Sequence, residues 1–190
     1  MTIIIKNQKH NLTQENPDIS TLLVGLGWKV SDTEQNFDLD ASAFMLKSDE
    51  HIRDRGDCVY YGNLKDNLGI LKHSGDNKVG GDGDSEQITV NLKNVPKEIG
   101  HITFVVSIHD ALNRSQTFGR VSDAYIRVID NDTNIEIVRY NLGQEFFNAT
   151  SVVIGDLLKR NDEWFFDAVG IAFSGGLPAI AQDFDIKVKA

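Results

Sequence analysis

The sequence predicts a mainly β protein, a two-sheet antiparallel β-sandwich with a few short helices. Three observations point there. Apolar and polar residues alternate with a period of two in segment after segment, whereas the 3.6-residue period of amphipathic helices is scarce. Short turns rich in Gly, Asn and Asp separate those segments. And 190 residues with 41% hydrophobic and 25% charged side chains suffice for one core, so a single domain spanning 1–190 is expected. In a sandwich the loops gather at the ends of the sheets, where distant loops can share one ligand.

Thr2 to Lys6, rich in β-branched residues, reads as the first strand and Leu22 to Trp28 as the second, followed by a polar loop from Lys29 to Asn36. Phe37 to Leu46 is the third. Alternation puts its Phe37, Leu39, Ala41, Ala43 and Met45 on one face and Asp38 and Asp40 together on the other. Asp57 to Gly62 is a short strand with Cys58 and two tyrosines, and 63–74 a loop with an extended piece at Ile70-Leu71. Gln87 to Leu92 alternates Ile88, Val90 and Leu92 with polar residues before Asn94-Val95-Pro96 turns the chain. His101 to Asp110 alternates most cleanly: Ile102, Phe104, Val106 and Ile108 face one way, and His101, Thr103, Ser107 and His109 the other, with Val105 among them. Ala124 to Asp130 and Ile135 to Leu142 form a hairpin across Asn131-Asp132-Thr133-Asn134. Gly143 to Asn148 suits a helical turn. Thr150 to Lys159 and Glu163 to Ser174 read as two long strands, with helix still open for the first, and Gly176 to Phe184 as a short helix with Pro178 in its first turn.

The stretch Gly75-Asp76-Asn77-Lys78-Val79-Gly80-Gly81-Asp82-Gly83-Asp84-Ser85-Glu86 concentrates carboxylates and glycines around one lysine. Two readings stand. It is a solvated turn between strands, or its glycines let the backbone aim several oxygens at one point and a hard cation sits among them. Calcium takes six to eight oxygen ligands at about 2.3–2.6 Å in a tolerant geometry. Asp38 and Asp40 pose the same choice, since two like charges on one strand face cost stability unless something compensates them. The loop is not an EF-hand: from Asp76 a lysine falls at the third position, and from Asp82 a glutamine falls at the glycine position.

Other chemistries find little support. A net charge of −9 argues against a nucleic-acid partner. None of the five histidines has zinc-motif spacing, and His101 and His109 read as surface positions on a strand. Cys58 is the only cysteine, so no intramolecular disulfide forms, and a buried inert thiol is expected in place of a nucleophile. No phosphate loop or nucleophile elbow occurs. The apolar run at Met1 to Lys6 is too short for a signal peptide, and no segment reaches membrane-span length, so the protein is expected to be cytoplasmic and not inserted in a membrane. The sequons at Asn11, Asn131 and Asn148 are then chance matches.

Phe37-Asp-Leu-Asp-Ala-Ser-Ala-Phe44, the Gly75-Asp-Asn loop ending in Glu86, Phe118-Gly-Arg-Val121 with Ala124-Tyr-Ile-Arg127, and Glu163-Trp164 near Ala168-Val-Gly170 together resemble the tellurium-resistance TerD family over nearly the whole chain. The resemblance implies a β-sandwich with calcium-binding loops at one end, loosely comparable with C2 domains, in bacterial operons for resistance to tellurite, other chemical stress and phage. It implies one or two calcium ions held by Asp38, Asp40, Asp76, Asn77, Asp82, Asp84 and Glu86. Ser85 stands where the family's loop often has a second acid, and Lys29 where an acid is common. The implied partners are other stress-operon proteins, a membrane protein complex among them. Tellurium's soft chemistry would want thiols, and one cysteine with two methionines is a poor supply, so a binding or scaffold role without catalysis is expected. The alternatives are a calcium-dependent membrane-docking domain and a metal-dependent phosphohydrolase.

Overall fold

Alternating apolar side chains commit most of this chain to strands, and those strands assemble into two facing sheets. The computed structural model describes residues 1–14, 16–30, 37–75 and 83–184. In chain order the strands are β1 (Thr2–Ile4), β2 (Lys9–Asn11), β3 (Thr21–Val30), β4 (Leu39–Lys47), β5 (Cys58–Val59), β6 (Leu71–His73), β7 (Glu86–Asn91) and β8 (Ile99–Ile108). After a short helix α1 (Ala111–Arg114) come β9 (Val121–Asp130), β10 (Ile135–Asn141), β11 (Ser151–Arg160), β12 (Glu163–Asp167), β13 (Ile171–Phe173) and the helix α2 (Gly176–Asp183). The first sheet has the order β1-β10-β9-β3-β7-β6 and the second β2-β12-β11-β8-β4-β5, with β13 also on β11. β1 runs parallel to β10; every other strand pairing among the described residues is antiparallel.

The core lies between the sheets. Leu22, Val24, Leu26 and Trp28 from β3 meet Leu39, Ala41, Ala43 and Met45 from β4 and Ile102, Phe104, Val106 and Ile108 from β8 in one apolar cluster, the faces that alternation selects. The opposite face of the second sheet is covered as well. There α2 lays Ile180 and Ala181, with Phe184 just beyond, against Phe44, Leu46, Val105 and Val153. Nearly all of β4 is buried for that reason, as in sheets covered on both sides. On this face of β8 Thr103 and Ser107 are buried, while His101 and His109, expected at the surface, are half-buried.

The Asn131–Asn134 turn does join β9 and β10, and α2 forms at its expected place. Residues 151–160 are strand, not helix. The single long strand expected from Glu163 to Ser174 is two strands. β12 pairs with residues 156–160 of β11 and β13 with residues 151–153, and β11 carries a register shift between Val153 and Gly155. Gly170, at φ +65°, turns the chain between them in a conformation that disfavours residues with a Cβ. The strand expected over Asp57–Gly62 is only Cys58–Val59, because β4 pairs with it solely at Ala43 and Phe44. β2, which carries no apolar pattern, goes unpredicted. The proposed loop from Lys29 to Asn36 falls mostly on residues outside those described.

Candidate functional site

Asp38 and Asp40 enter the second sheet at the start of β4. Leu39 and Ala41 point into the core, so Asp40 sits on the outer face, opposite Ser107 of β8. Its residue exposure is 3%, and that of Asp38 8%. His109 Nδ1 stands 3.4 Å from Asp40 Oδ2, and the His109 N–H donates to the Asp38 carbonyl at 2.8 Å. His109 therefore belongs with these acids, although the sequence offers it only as a strand-surface position. A cleft of about 370 Å³ opens beside Asp40, lined also by Tyr61, His109, Asp110 and the first residues of α2.

The acidic stretch leaves β6 and returns into β7, two strands paired antiparallel through His73 and Ile88. Glu86, where it returns, is fully buried and accepts the Ala41 N–H at 2.6 Å. β4 has β5 beside it only at Ala43 and Phe44, so the Ala41 peptide lies on an open stretch of strand edge and takes a side-chain partner. His73, also fully buried, lies 3.3 Å from Glu86 Oε2 and 3.1 Å from the Ala41 carbonyl oxygen through Nε2. The structure thus brings the β4 strand that carries Asp40 and the end of the acidic stretch to one place. Asp76, Asn77 and Asp82 lie outside the described residues. Among the described residues no three His, Cys, Asp or Glu side chains form a group that could hold a metal ion.

Asp84 goes elsewhere. It lies over Gly25 of β3, where an added Cβ would collide with its carboxylate. Since Val24 and Leu26 point into the core, this is the outer face of the first sheet, opposite to the inward side that Glu86 takes. Arg127 grips Asp84 with Nε at 2.7 Å and Nη2 at 3.0 Å, and the Tyr125 hydroxyl and Gln87 amide add bonds at 3.1 and 3.2 Å. The network continues through Glu136, which takes Arg127 and Arg139; hydrogen bonds from Arg139 first and Arg127 next hold its carboxyl down to about 2 against the cost of burial. Arg139 in turn stacks 4.1 Å above the Tyr125 ring, a cation–π contact. A signal for this network exists in the sequence: Gly25 and Gly27, two residues apart within an apolar strand, mark a notch where other side chains approach the backbone.

The TerD domain family model matches residues 1–184. This chain belongs to the TerD family. It is 43% identical over 192 residues to general stress protein 16U of Bacillus subtilis (strain 168), covering 99% of this chain and 100% of that one. It is 43% identical over 181 residues to the tellurium resistance protein TerD of Serratia marcescens, covering 94% of each. A chemical-damaging agent resistance protein B of Clostridium acetobutylicum is 43% identical over 133 residues, 70% of this chain and 96% of that one. Among solved structures, the homologue of telluride resistance protein (TerD) from Streptomyces coelicolor A3(2) superposes with a TM-score of 0.69 at 21% identity, covering 86% of this chain and 95% of that one; the likeness shows that the fold is shared. Within this TerD chain Cys58 is buried, and burial first, then the charge of Asp57, push its thiol up to about 11. It is protonated near neutral pH and a weak nucleophile there.

Proposed function

We propose that this chain is a calcium-binding module of the bacterial stress response, which acts in the cytoplasm by binding other proteins and not by catalysis. The observation that carries this reading is the bond from the Ala41 N–H to Glu86, which spans 45 positions of sequence and draws the strand of Asp38 and Asp40 to the end of the acidic stretch. The proposed ligands are Asp38, Asp40 and Glu86 with Asp76, Asn77 and Asp82, for one or two ions. Asp84 is left out of this set because Arg127 and Tyr125 occupy its carboxylate. The donor chemistry fits: carboxylate and amide oxygens suit a hard cation with a large shell, and buried carboxylates are costly in charged form unless positive charge or donors compensate them. Calcium would supply that charge.

The stress-response part rests on family membership and on the names of the relatives. A scaffold role agrees with the protonated state of Cys58, because soft tellurium chemistry needs thiolates. The partners proposed are other proteins of stress operons, a membrane protein complex included. No helix among the described residues is long and apolar enough to cross a membrane.

Thermal melting of metal-stripped protein tests the reading. Calcium is expected to raise the melting temperature and magnesium to do so poorly, since magnesium demands a small octahedral shell. A ligand at 100 times its dissociation constant stabilises by about 2.7 kcal/mol. Asp40→Asn should weaken calcium binding in calorimetry and leave the protein folded. No calcium shift, or equal shifts with both ions, would count against the proposal.

A further inference from the structure

We propose that His73 is a positioning residue that fastens both ends of the acidic stretch to each other and to the peptide beside Asp40, so that the cation ligands are presented in register. The inference rests on the calcium reading and adds to it a residue that is not itself a ligand. His73 is held from its own backbone: its N–H donates to the Leu64 carbonyl at 2.9 Å, and the next amide, Ser74, donates to Gln87 at 2.8 Å. Its ring then makes contacts in two directions. Nδ1 accepts the Gly75 N–H at 3.0 Å. A ring nitrogen that accepts a hydrogen bond carries no proton, so the ring proton belongs on Nε2. Nε2 lies between two acceptors, the Ala41 carbonyl at 3.1 Å and Glu86 Oε2 at 3.3 Å.

These contacts close a loop of bonds. Glu86 takes the N–H of Ala41 and His73 takes its C=O, so two side chains from β6 and β7 do for this peptide what a neighbouring strand would do. Gly75 is the first residue of the acidic stretch and Glu86 the last, and one rigid imidazole touches both. Gly75 sits at φ +109°, a turn that depends on glycine, and the bond to His73 fixes its direction. With no side-chain exposure, the ring cannot exchange these partners for water. Groups that orient a metal's ligands in this way typically change affinity by about 10–100-fold when replaced.

Two substitutions separate the ring's tasks. His73→Asn keeps an oxygen near the Nδ1 position for Gly75 and loses the donor toward Glu86; His73→Gln keeps a donor near Nε2 and loses the acceptor for Gly75. Calcium calorimetry on the metal-stripped chains is expected to show each variant binding at least ~10-fold more weakly than wild type, although thermal melting shows both folded. The Gly75 amide should exchange slowly in wild type and His73→Asn and fast in His73→Gln. Folded variants that bind calcium with wild-type affinity would overturn the role of His73 alone. Wild-type protein that takes up no calcium would overturn the cation reading and this one with it. Should neither variant fold, nitrogen NMR of the wild-type ring decides. A bare Nδ1, a protonated Nε2 and ring shifts that follow a calcium titration are expected; an Nδ1–H ring, or shifts that stay fixed at saturating calcium, would refute the proposal.

Discussion

At the scale of single residues, two aspartates separate stability from binding. Asp84 has 1% side-chain exposure and is held by a two-pronged Arg127 contact. Hydrogen bonds to charged groups contribute about 1.5–3 kcal/mol each. Asp84→Asn is therefore expected to lower stability by about 1.5–3 kcal/mol in urea unfolding, with calcium affinity unchanged; a large loss of affinity would return Asp84 to the ligand set. Asp156, on β11 opposite Asp167 of β12, accepts the Thr103 hydroxyl at 2.7 Å. Burial chiefly, then the charges of Asp167 and Glu50, raise its carboxyl above the ordinary value, against the opposing pull of Thr103 and His101. A carboxyl with a raised folded value holds its proton more tightly when folded. It thus weakens the fold at pH above that value, and the loss is recovered as pH falls through it. Asp156→Asn keeps an acceptor for Thr103 and is expected to melt higher than wild type at pH 7, the gap closing as the medium is acidified toward the usual carboxylate range. Identical melting at pH 7 would refute this. Of this chemistry the sequence displays the acids, because they cluster in composition. It hides their sorting. Asp84 and Glu86 share strand parity, and only the neighbourhood of Arg127, 43 residues on, and of Ala41, 45 residues back, sends one outward and the other inward. His73 is equally hidden, a lone histidine between a lysine and a serine whose partners come from three separate segments.

At the scale of elements, α2 turns the second sheet from a half-covered layer into a buried one. Ile180 has no exposure and packs in the cluster of Phe44, Leu46, Val105 and Val153. Ile180→Ala is expected to destabilise by about 2–5 kcal/mol, as for other buried Ile-to-Ala changes. The same experiment reads whether α2 belongs to the cooperative fold: a variant unfolding at wild-type urea concentrations would mean that it does not. The strands β3, β4, β8 and the β9–β10 hairpin were legible because burial against the facing sheet imposes a period of two on their inward side chains. The apolar residues on the other face of β4 and β8, Phe44, Leu46 and Val105, were the available trace of α2. β2 was not legible at all. Lys9, His10 and Asn11 are strand only because β12 offers them backbone partners, and no side-chain pattern is required for that. The break between β12 and β13 was missed because both strands take β11 as partner, and the apolar pattern of 163–174 does not show where along that partner the pairing is interrupted.

At the scale of the whole molecule, both sheets finish at one edge with strands from the beginning of the chain. β1 closes the first sheet with Thr2 opposite Val138, and β2 closes the second with Lys9 opposite Asp167. Those partners are among the later strands to be made. During synthesis β1 and β2 must therefore wait for these partners until β10 and then β12 have followed them. Non-local pairing of this kind is slow because a long loop must close before any contact rewards it. Meanwhile the edges of β10 and β12 stand open to strands of other chains. β1 and β2 are thus made well before the strands that fix them, and the interval between the two is when mispairing threatens this fold.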